Sequence, residues 1–139
     1  MNSKVILLTL ICFLVACGHS KTEKNHIYKD ANQVKTEDFN TFLKRFSAEK
    51  DFQLSRIKYP LISKYYDYDT DKFTTIITQK EEREFGSLNK KNYIKKVTKE
   101  HPEKYILNIL LDDTGIYVDY IFELINGKWF LTTTIDQST

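Results

Sequence analysis

Apolar and polar residues alternate along the last third of the chain in three runs, at 104–111, 116–125 and 128–136. Such alternation is typical of β-strands with one buried face. Asn126 and Gly127 supply the two positive-φ positions of a tight type I′ hairpin, and a four-residue connection ending at Gly115 joins the first two runs. The pattern predicts a three-stranded antiparallel meander, on which the rest of the chain is expected to pack.

The alternation also predicts the register of the second hairpin. With Asn126-Gly127 as its loop, the buried face pairs Leu124 with Trp129, Phe122 with Leu131, Tyr120 with Thr133 and Val118 with Ile135. The opposite face is mixed and carries Asp119, Glu123, Lys128 and Thr132 beside Ile121 and Phe130. A slip of one residue would bury charged side chains, so the pattern excludes it.

The first hairpin has two alternative registers. A four-residue loop puts Tyr105, Leu107, Ile109 and Leu111 on the buried face. A three-residue loop with a glycine bulge puts Asn108 there instead. We favour the four-residue loop because it buries no side-chain amide.

Upstream of the meander, residues 36–48 predict an amphipathic helix. Thr36 suits the N-cap, and Glu37 and Asp38 place carboxylates in the first turn, where the helix dipole favours them. Apolar residues recur at i, i+3, i+4 and i+7, namely at Phe39, Phe42, Leu43 and Phe46. This stripe is expected to pack on the apolar face of the sheet.

The segments between this helix and the meander carry weaker patterns. Residues 51–61 indicate a short second helix that passes into a strand near Ile57, which Pro60 would end or place at a sheet edge. The remaining segments indicate a polar loop at 65–73, a strand at 74–78 and a short helix at 79–85. Residues 88–100 fit either a helix or a strand, and we slightly favour the helix.

The N-terminus has the features of an export signal. Lys4 precedes an uncharged apolar run over 5–16, which is shorter than the roughly 20 residues of a transmembrane helix. The sequence Leu14, Val15, Ala16, Cys17 resembles the lipobox of bacterial lipoproteins. The alternative is an ordinary signal peptide with an incidental cysteine, but that would leave an exported protein with one unpaired thiol.

The lipobox resemblance implies a domain organisation and a location. Residues 1–16 would be the signal peptide, and Cys17 would carry diacylglycerol and palmitate. The polar stretch 17–35 would be a flexible tether, and 36–139 a single domain. No acidic cluster follows Cys17, which favours a lipid-anchored, periplasm-facing protein of the cell envelope. Export and a formal net charge of +2 argue against nucleic acid as a partner.

Two longer motifs carry a second resemblance. The pattern F-Q-x-x-R-I-x-Y-P-L occupies 52–61, and G-I-x-V-x-Y-x-F-E-x-x-N-G-K-W-x-L occupies 115–131. Together they resemble a group of exported lipoproteins whose domain has no assigned function and whose fold is the nuclear-transport-factor-2-like (cystatin-like) cone. The resemblance implies an α+β fold in which N-terminal helices pack into the concave side of a curved antiparallel sheet.

The sequence contains no recognisable metal, cofactor or catalytic motif. Asp67, Asp69 and Asp71 alternate like calcium-loop ligands, but Lys72 and Thr78 replace the required glycine and glutamate, so a solvated loop is expected. His19, His26 and His101 lack neighbours at zinc-ligand spacing, and Ser87 lacks a nucleophile elbow. The lysines between 90 and 99 fit a solvated face or a contact with anionic headgroups.

Four side chains are candidates for lining a pocket inside the cone, namely Arg56, Tyr59, Tyr120 and Trp129. Polar-tipped aromatics and an arginine could orient a ligand there. The alternative is that the aromatics belong to the core and that Arg56 pairs with an acid on the helix.

Two classes of function remain. The first is a non-enzymatic binding module, with a small apolar ligand in the cone, or an envelope protein or second copy on the mixed outer face with Tyr117, Ile121 and Phe130. The second is an isomerase or dehydratase acting on a small apolar substrate. That chemistry needs a carboxylate or histidine in the cone as general base, and the predicted register of the second hairpin supplies none.

Overall fold

Two helices and one sheet make up the computed structural model, which describes residues 35–80, 86–111 and 113–139. In chain order the elements are α1 (Phe39–Ala48), α2 (Lys50–Ser55), β1 (Ile57–Asp67), β2 (Lys72–Thr78), β3 (Tyr93–His101), β4 (Lys104–Leu111), β5 (Ile116–Ile125) and β6 (Lys128–Asp136). The strand order is β2-β1-β6-β5-β4-β3, antiparallel throughout except for the parallel β1–β6 pair. The predicted α+β cone-type fold is confirmed.

Helix α1 begins three residues later than Thr36, its predicted N-cap. Asp38 is the cap, because its Oδ1 accepts a hydrogen bond from the Thr41 backbone N–H at 2.9 Å. That hydrogen bond lowers the pKa of the Asp38 carboxyl below its ordinary value. The predicted apolar stripe is confirmed, with Phe39, Phe42 and Phe46 buried.

The meander of β4, β5 and β6 has the predicted strand bounds. The four-residue loop is confirmed, because Leu111 pairs with Ile116. Leu107 and Ile109 are consequently buried, while Asn108 lies on the other face and donates to the Asp119 carboxylate.

A β-bulge in β6 changes the register of the second hairpin from the predicted one beyond the Phe122–Leu131 pair. Phe122 pairs with Leu131 as predicted, but Ile121 pairs with Thr133, so Thr132 is an extra residue. The predicted partners of Tyr120 and Val118 were therefore wrong by one position, and the actual partners are Thr134 and Asp136. Alternation alone cannot locate such a bulge, because any threonine of the run 132–134 can be the extra one.

Strands β1 and β2 are longer than predicted, which changes the expectations for the loop at 65–73 and for Pro60. The polar loop expected at 65–73 shrinks to a turn at 68–71, in which the Asp67 carboxylate accepts the Asp69 N–H at 2.9 Å. Pro60 does not end β1, which continues to Asp67, but it lies just before Leu61, where the pairing of β1 with β2 begins. The missing N–H of Pro60 is tolerated since the β1–β6 register shifts between Ile57 and Ile62.

The lysine-rich segment at 88–100 is irregular up to Asn92 and forms strand β3 from Tyr93 onward, so the preference for a helix was wrong. Tertiary pairing with β4 decides the conformation, and its charged side chains suit a sheet edge. The predicted helix at 79–85 falls mainly on 81–85, outside the described residues. The predicted signal peptide and lipid-attachment site also lie outside them.

The core is an aromatic cluster between α1 and the concave face of the sheet. The Phe39 ring stacks on Tyr105 at a centroid distance of 3.9 Å, and Phe46 meets Phe122 edge-on at 5.1 Å. Burial of these rings removes a large apolar area from water and fixes α1 on the meander.

Candidate functional site

Arg56, a candidate pocket residue, forms a structural ion pair instead. Its Nη1 and Nη2 atoms donate to the two carboxylate oxygens of Glu37 at 2.9 and 3.1 Å. The same carboxylate accepts the Trp129 backbone N–H at 3.1 Å, and the Trp129 indole Nε1 donates to the Glu37 carbonyl at 2.8 Å. This bidentate pair joins the residue before the α1 N-cap to the end of α2 and the start of β6, whereas the alternative interpretation expected an acid on the helix itself.

The other three candidates are not gathered around one cavity. Trp129 is a core residue with 2% of its surface exposed, and Tyr120 packs against the core at the position of Thr134. Tyr59 lines a cavity of about 350 Å³ together with Leu54 and Lys80. The four residues therefore do not form a common pocket within the described residues.

The bulge in β6 places a carboxylate where the sequence predicted none. Tyr120 pairs with Thr134, and Val118 pairs with Asp136, so both β6 side chains belong to the concave face. Thr134 is buried and its hydroxyl donates to Ser63 at 2.9 Å. Asp136 is half-buried beyond this pair. Sequence reasoning missed Asp136 because an unrecognised bulge reverses the face of every later residue in the strand.

Other ionisable groups of the described residues lie outside the core. Asp119 and Glu123 are on the outer face, opposite the side that α1 covers. The lysines of β3 are divided between faces, with Lys95 and Lys99 concave and Lys96 convex, so they form no single basic surface. Partial burial lowers the pKa of Lys95, whose Nζ donates to Asn89. Within the part of the chain described, no His, Cys, Asp and Glu side chains cluster to hold a metal ion.

The outer face of the sheet carries a row of four isoleucines and two threonines, one residue from each strand. From β2 to β3 the register aligns Ile77, Ile62, Thr133, Ile121, Ile106 and Thr98, which we name the first apolar row. The Ile77 and Ile62 side chains are 60% and 40% exposed. Sequence reasoning found Ile121 but missed the β1 and β2 members, because it did not align these strands with the meander.

Two further rows run parallel to the first on the same face. The polar row contains Thr75, Lys64, Ile135, Asp119, Asn108 and Lys96. The second apolar row contains Phe73, Tyr66, Tyr117, Leu110 and Ile94. At one end of this row a groove of about 460 Å³ is lined by Tyr68, Ile94 and Tyr117. These three rows alternate apolar, polar and apolar, and a fourth row with Phe130, Glu123 and Lys104 lies on the other side of the first.

Comparison with known proteins assigns the chain to a family. The model of one protein family, described only by a "-like" label without an activity, matches residues 37–138. The chain belongs to this uncharacterised family. No curated protein matches its sequence.

Solved structures identify the fold of this family member. It is similar to an NTF2-like protein from Bacteroides fragilis at 20% identity and a TM-score of 0.56, with 78% of this chain and 50% of the other covered. It is also similar to a cystatin-like protein from Bacteroides caccae at 23% identity and a TM-score of 0.51, with 73% and 76% covered. The chain thus spans half the length of the B. fragilis protein. These likenesses establish the NTF2-like cone fold and no activity.

No helix among the described residues is long and apolar enough to span a membrane.

Proposed function

We propose that this protein is a lipid-anchored, non-catalytic module of the bacterial cell envelope that binds a protein through the outer face of its sheet. The observation that carries the proposal is the first apolar row, in which four strands present isoleucine and β6 and β3 present threonine, with no charged side chain in the row. An antiparallel sheet with one solvated face normally alternates between apolar inward and polar outward positions. The outward isoleucines depart from that rule.

Exposure strengthens the argument for a binding surface. Ile62, Ile77 and Phe73 each leave 40% or more of their surface in water. Burying apolar surface contributes about 25 cal/mol per Å², so a partner that covers the two apolar rows gains a substantial driving force. Exposed apolar residues grouped on one face of a sheet are typical of interaction sites.

The N-terminal sequence supports the proposed location. The Leu14–Cys17 motif would place diacylglycerol on Cys17, and the polar stretch 18–35 would separate the domain from the bilayer. A flexible coil of that length spans on the order of 20–25 Å, so the folded domain would be confined near the membrane surface. Confinement raises the effective concentration of a membrane-associated partner.

Protection of cysteines in the intact envelope tests the proposal. Single cysteines replace Ile121 or Ile77 on the outer face and Asn40 on the exposed side of α1 in the full-length chain. We expect a soluble maleimide to label Asn40→Cys rapidly and the outer-face variants at least several-fold more slowly than the same variants in dilute detergent extract. Equal labelling rates in the envelope and in the extract would contradict the proposal.

A second candidate function rests on Asp136. This carboxylate, whose Oδ1 accepts the Ser138 backbone N–H, lies on the concave face of the sheet, where a general base for isomerase or dehydratase chemistry would be needed. Native mass spectrometry of the purified chain tests this candidate. A retained small molecule that is lost in Asp136→Asn, but kept in Asp119→Asn on the outer face, would support it over the binding module.

A further inference from the structure

The two edge strands of the sheet, β2 and β3, differ sharply in charge. The seven residues of β2 include one charged side chain, Lys72 at its start, whereas β3 carries three lysines and a glutamate. Charged side chains protect an exposed edge strand from pairing with another chain. Strand β3 has this protection, and β2 lacks it.

Strand β2 is also exposed on both of its faces. Phe73 and Ile77 on the outer face leave 50% and 60% of their surface in water, and Ile76 on the concave face leaves 49%. Among the described residues, β1 is the only strand that pairs with β2. Every second residue of an edge strand directs its N–H and C=O groups away from the sheet. The edge therefore offers backbone hydrogen-bonding groups together with apolar side chains.

We infer that β2 pairs edge to edge with β2 of a second copy of this chain. The two strands run antiparallel about a twofold axis that is perpendicular to the sheet and passes beside Thr75. The pairing continues the sheet from one copy into the other and leaves both outer faces free on the same side. It therefore goes beyond the proposed function and does not rest on it.

The side chains of β2 are self-complementary in this register. With Thr75 on the axis, all seven residues of the strand are paired, and Phe73 of each copy lies opposite Ile77 of the other. Pairs of an aromatic and a β-branched residue are favourable across neighbouring strands. Lys72 lies opposite Thr78, so no like charges oppose each other within the paired strands.

Charged residues just outside β2 are complementary in the same register. Lys80 follows the strand by two residues, so it lies next to the partner's turn at 68–71, which carries Asp69. Asp71 ends the same turn, and its carboxylate accepts the Tyr66 hydroxyl. Lys80, Asp69 and Asp71 are all exposed. The twofold axis makes this contact of opposite charges once at each end of the pairing, which fixes the register.

The neighbouring registers that keep the two outer faces on the same side are less favourable. Moving the axis to Ile76 places Lys72 opposite Lys80 of the other copy, and like charges at an interface cost free energy. Moving it to Thr74 leaves only residues 72–76 paired and places Lys72 opposite Ile76. The axis beside Thr75 alone pairs the whole strand and brings opposite charges together.

The small size of this contact determines where it forms. A strand of this length extends about 24 Å, and its pairing covers three apolar side chains on each copy, so the buried area is below the roughly 1,200 Å² of stable interfaces. Association in dilute solution is consequently weak. The proposed lipid anchor would confine both copies to one membrane and raise their effective concentration.

Crosslinking of the full-length chain in the intact envelope tests the inference. In Thr75→Cys the two equivalent Cα atoms would lie roughly 4.5–5.5 Å apart, within the range that a disulfide spans. We expect a mild oxidant or a short bis-maleimide to give about tenfold more dimer than from Asn40→Cys, the matched control on the exposed side of α1. Unaltered Trp129 fluorescence verifies that each variant is folded.

Two off-axis cysteines test the register. Phe73→Cys and Ile77→Cys should each give little disulfide alone, because equivalent residues at these positions lie about 14 Å apart along the strands. Co-expression of the two variants should give a mixed disulfide dimer, because position 73 of one copy lies opposite position 77 of the other.

Charge reversal tests the contact at the ends of the pairing. Adding Lys80→Glu to Thr75→Cys should lower the dimer yield several-fold, and adding Asp69→Lys as well should restore it to within about twofold. Lys96→Glu on β3 is the matched control and should leave the yield unchanged.

The failures of this inference and of the proposed function are distinguishable. A Thr75→Cys dimer no more abundant than that of Asn40→Cys, with both reagents, would refute the pairing. Equal disulfide yields from Phe73→Cys alone and from the mixed pair would refute the register. A Thr75 thiol that is protected from maleimide but forms no dimer would show that a different protein covers the edge. Ile121→Cys on β5 lies away from this edge, so its protection reports on the outer face alone.

Discussion

Replacing Arg56 with alanine should lower the free energy of unfolding by about 2–3 kcal/mol. A broken buried ion pair costs roughly 3–5 kcal/mol, whereas an exposed pair contributes about 0–1 kcal/mol. The Arg56 and Glu37 side chains are only 14% and 23% exposed, which places this pair nearer the buried limit. For a domain of about 100 residues, the loss corresponds to a Tm decrease of about 10–15 °C.

The geometry also predicts how a conservative substitution behaves. Arg56→Lys keeps the charge but cannot donate to both Glu37 oxygens, as the guanidinium does at 2.9 and 3.1 Å. It should retain about half of the stabilisation. The Glu37 carboxylate would still accept the Trp129 N–H, so the start of α1 would stay attached to β6.

Urea unfolding followed by the fluorescence of Trp129, the single tryptophan, measures these losses. Arg45→Ala is the matched control, because Arg45 makes a bidentate pair with Glu49 whose side chains are 49% and 50% exposed. Arg45→Ala should lower the free energy of unfolding by only a small fraction of the decrease expected for Arg56→Ala. Equal shifts of the two unfolding midpoints would show that burial of the ion pair does not determine how much stability is lost, and would refute this explanation.

Three further predictions concern the fold and the anchor. Thr134→Val should cost about 1–2 kcal/mol in the same urea assay, because it removes a hydrogen bond to the buried Ser63 hydroxyl; an unchanged midpoint would contradict this. Hydrogen bonds from Thr41 lower the pKa of Asp38, so its stabilisation is complete above its ordinary pKa and is lost as pH falls through the folded-state value. Asp38→Asn should therefore flatten the acid side of the stability curve. Cys17→Ala should abolish incorporation of a palmitate analogue, and persistent labelling would exclude the proposed anchor.

The sequence predicted those parts of the fold that local signals determine. The stripe of α1 and the alternation of β4, β5 and β6 follow from side-chain periodicity, and Asn126-Gly127 fixes the hairpin turn at φ values of 50° and 75°. These elements need no knowledge of distant partners. Their bounds were correspondingly accurate in the structure, apart from the shifted N-cap of α1.

The parts that depend on distant partners could not be predicted. Strand β3 has lysines on both faces, so its conformation comes from pairing with β4 rather than from an apolar face of its own. Because of the bulge at Thr132, Thr134 lies on the concave face, where its hydroxyl donates to the buried Ser63. The two strands that this hydrogen bond joins are far apart in sequence. The position of Asp136 on the concave face also depends on this bulge. Because any residue of the threonine run can be the extra one, the sequence did not predict the candidate site on that face.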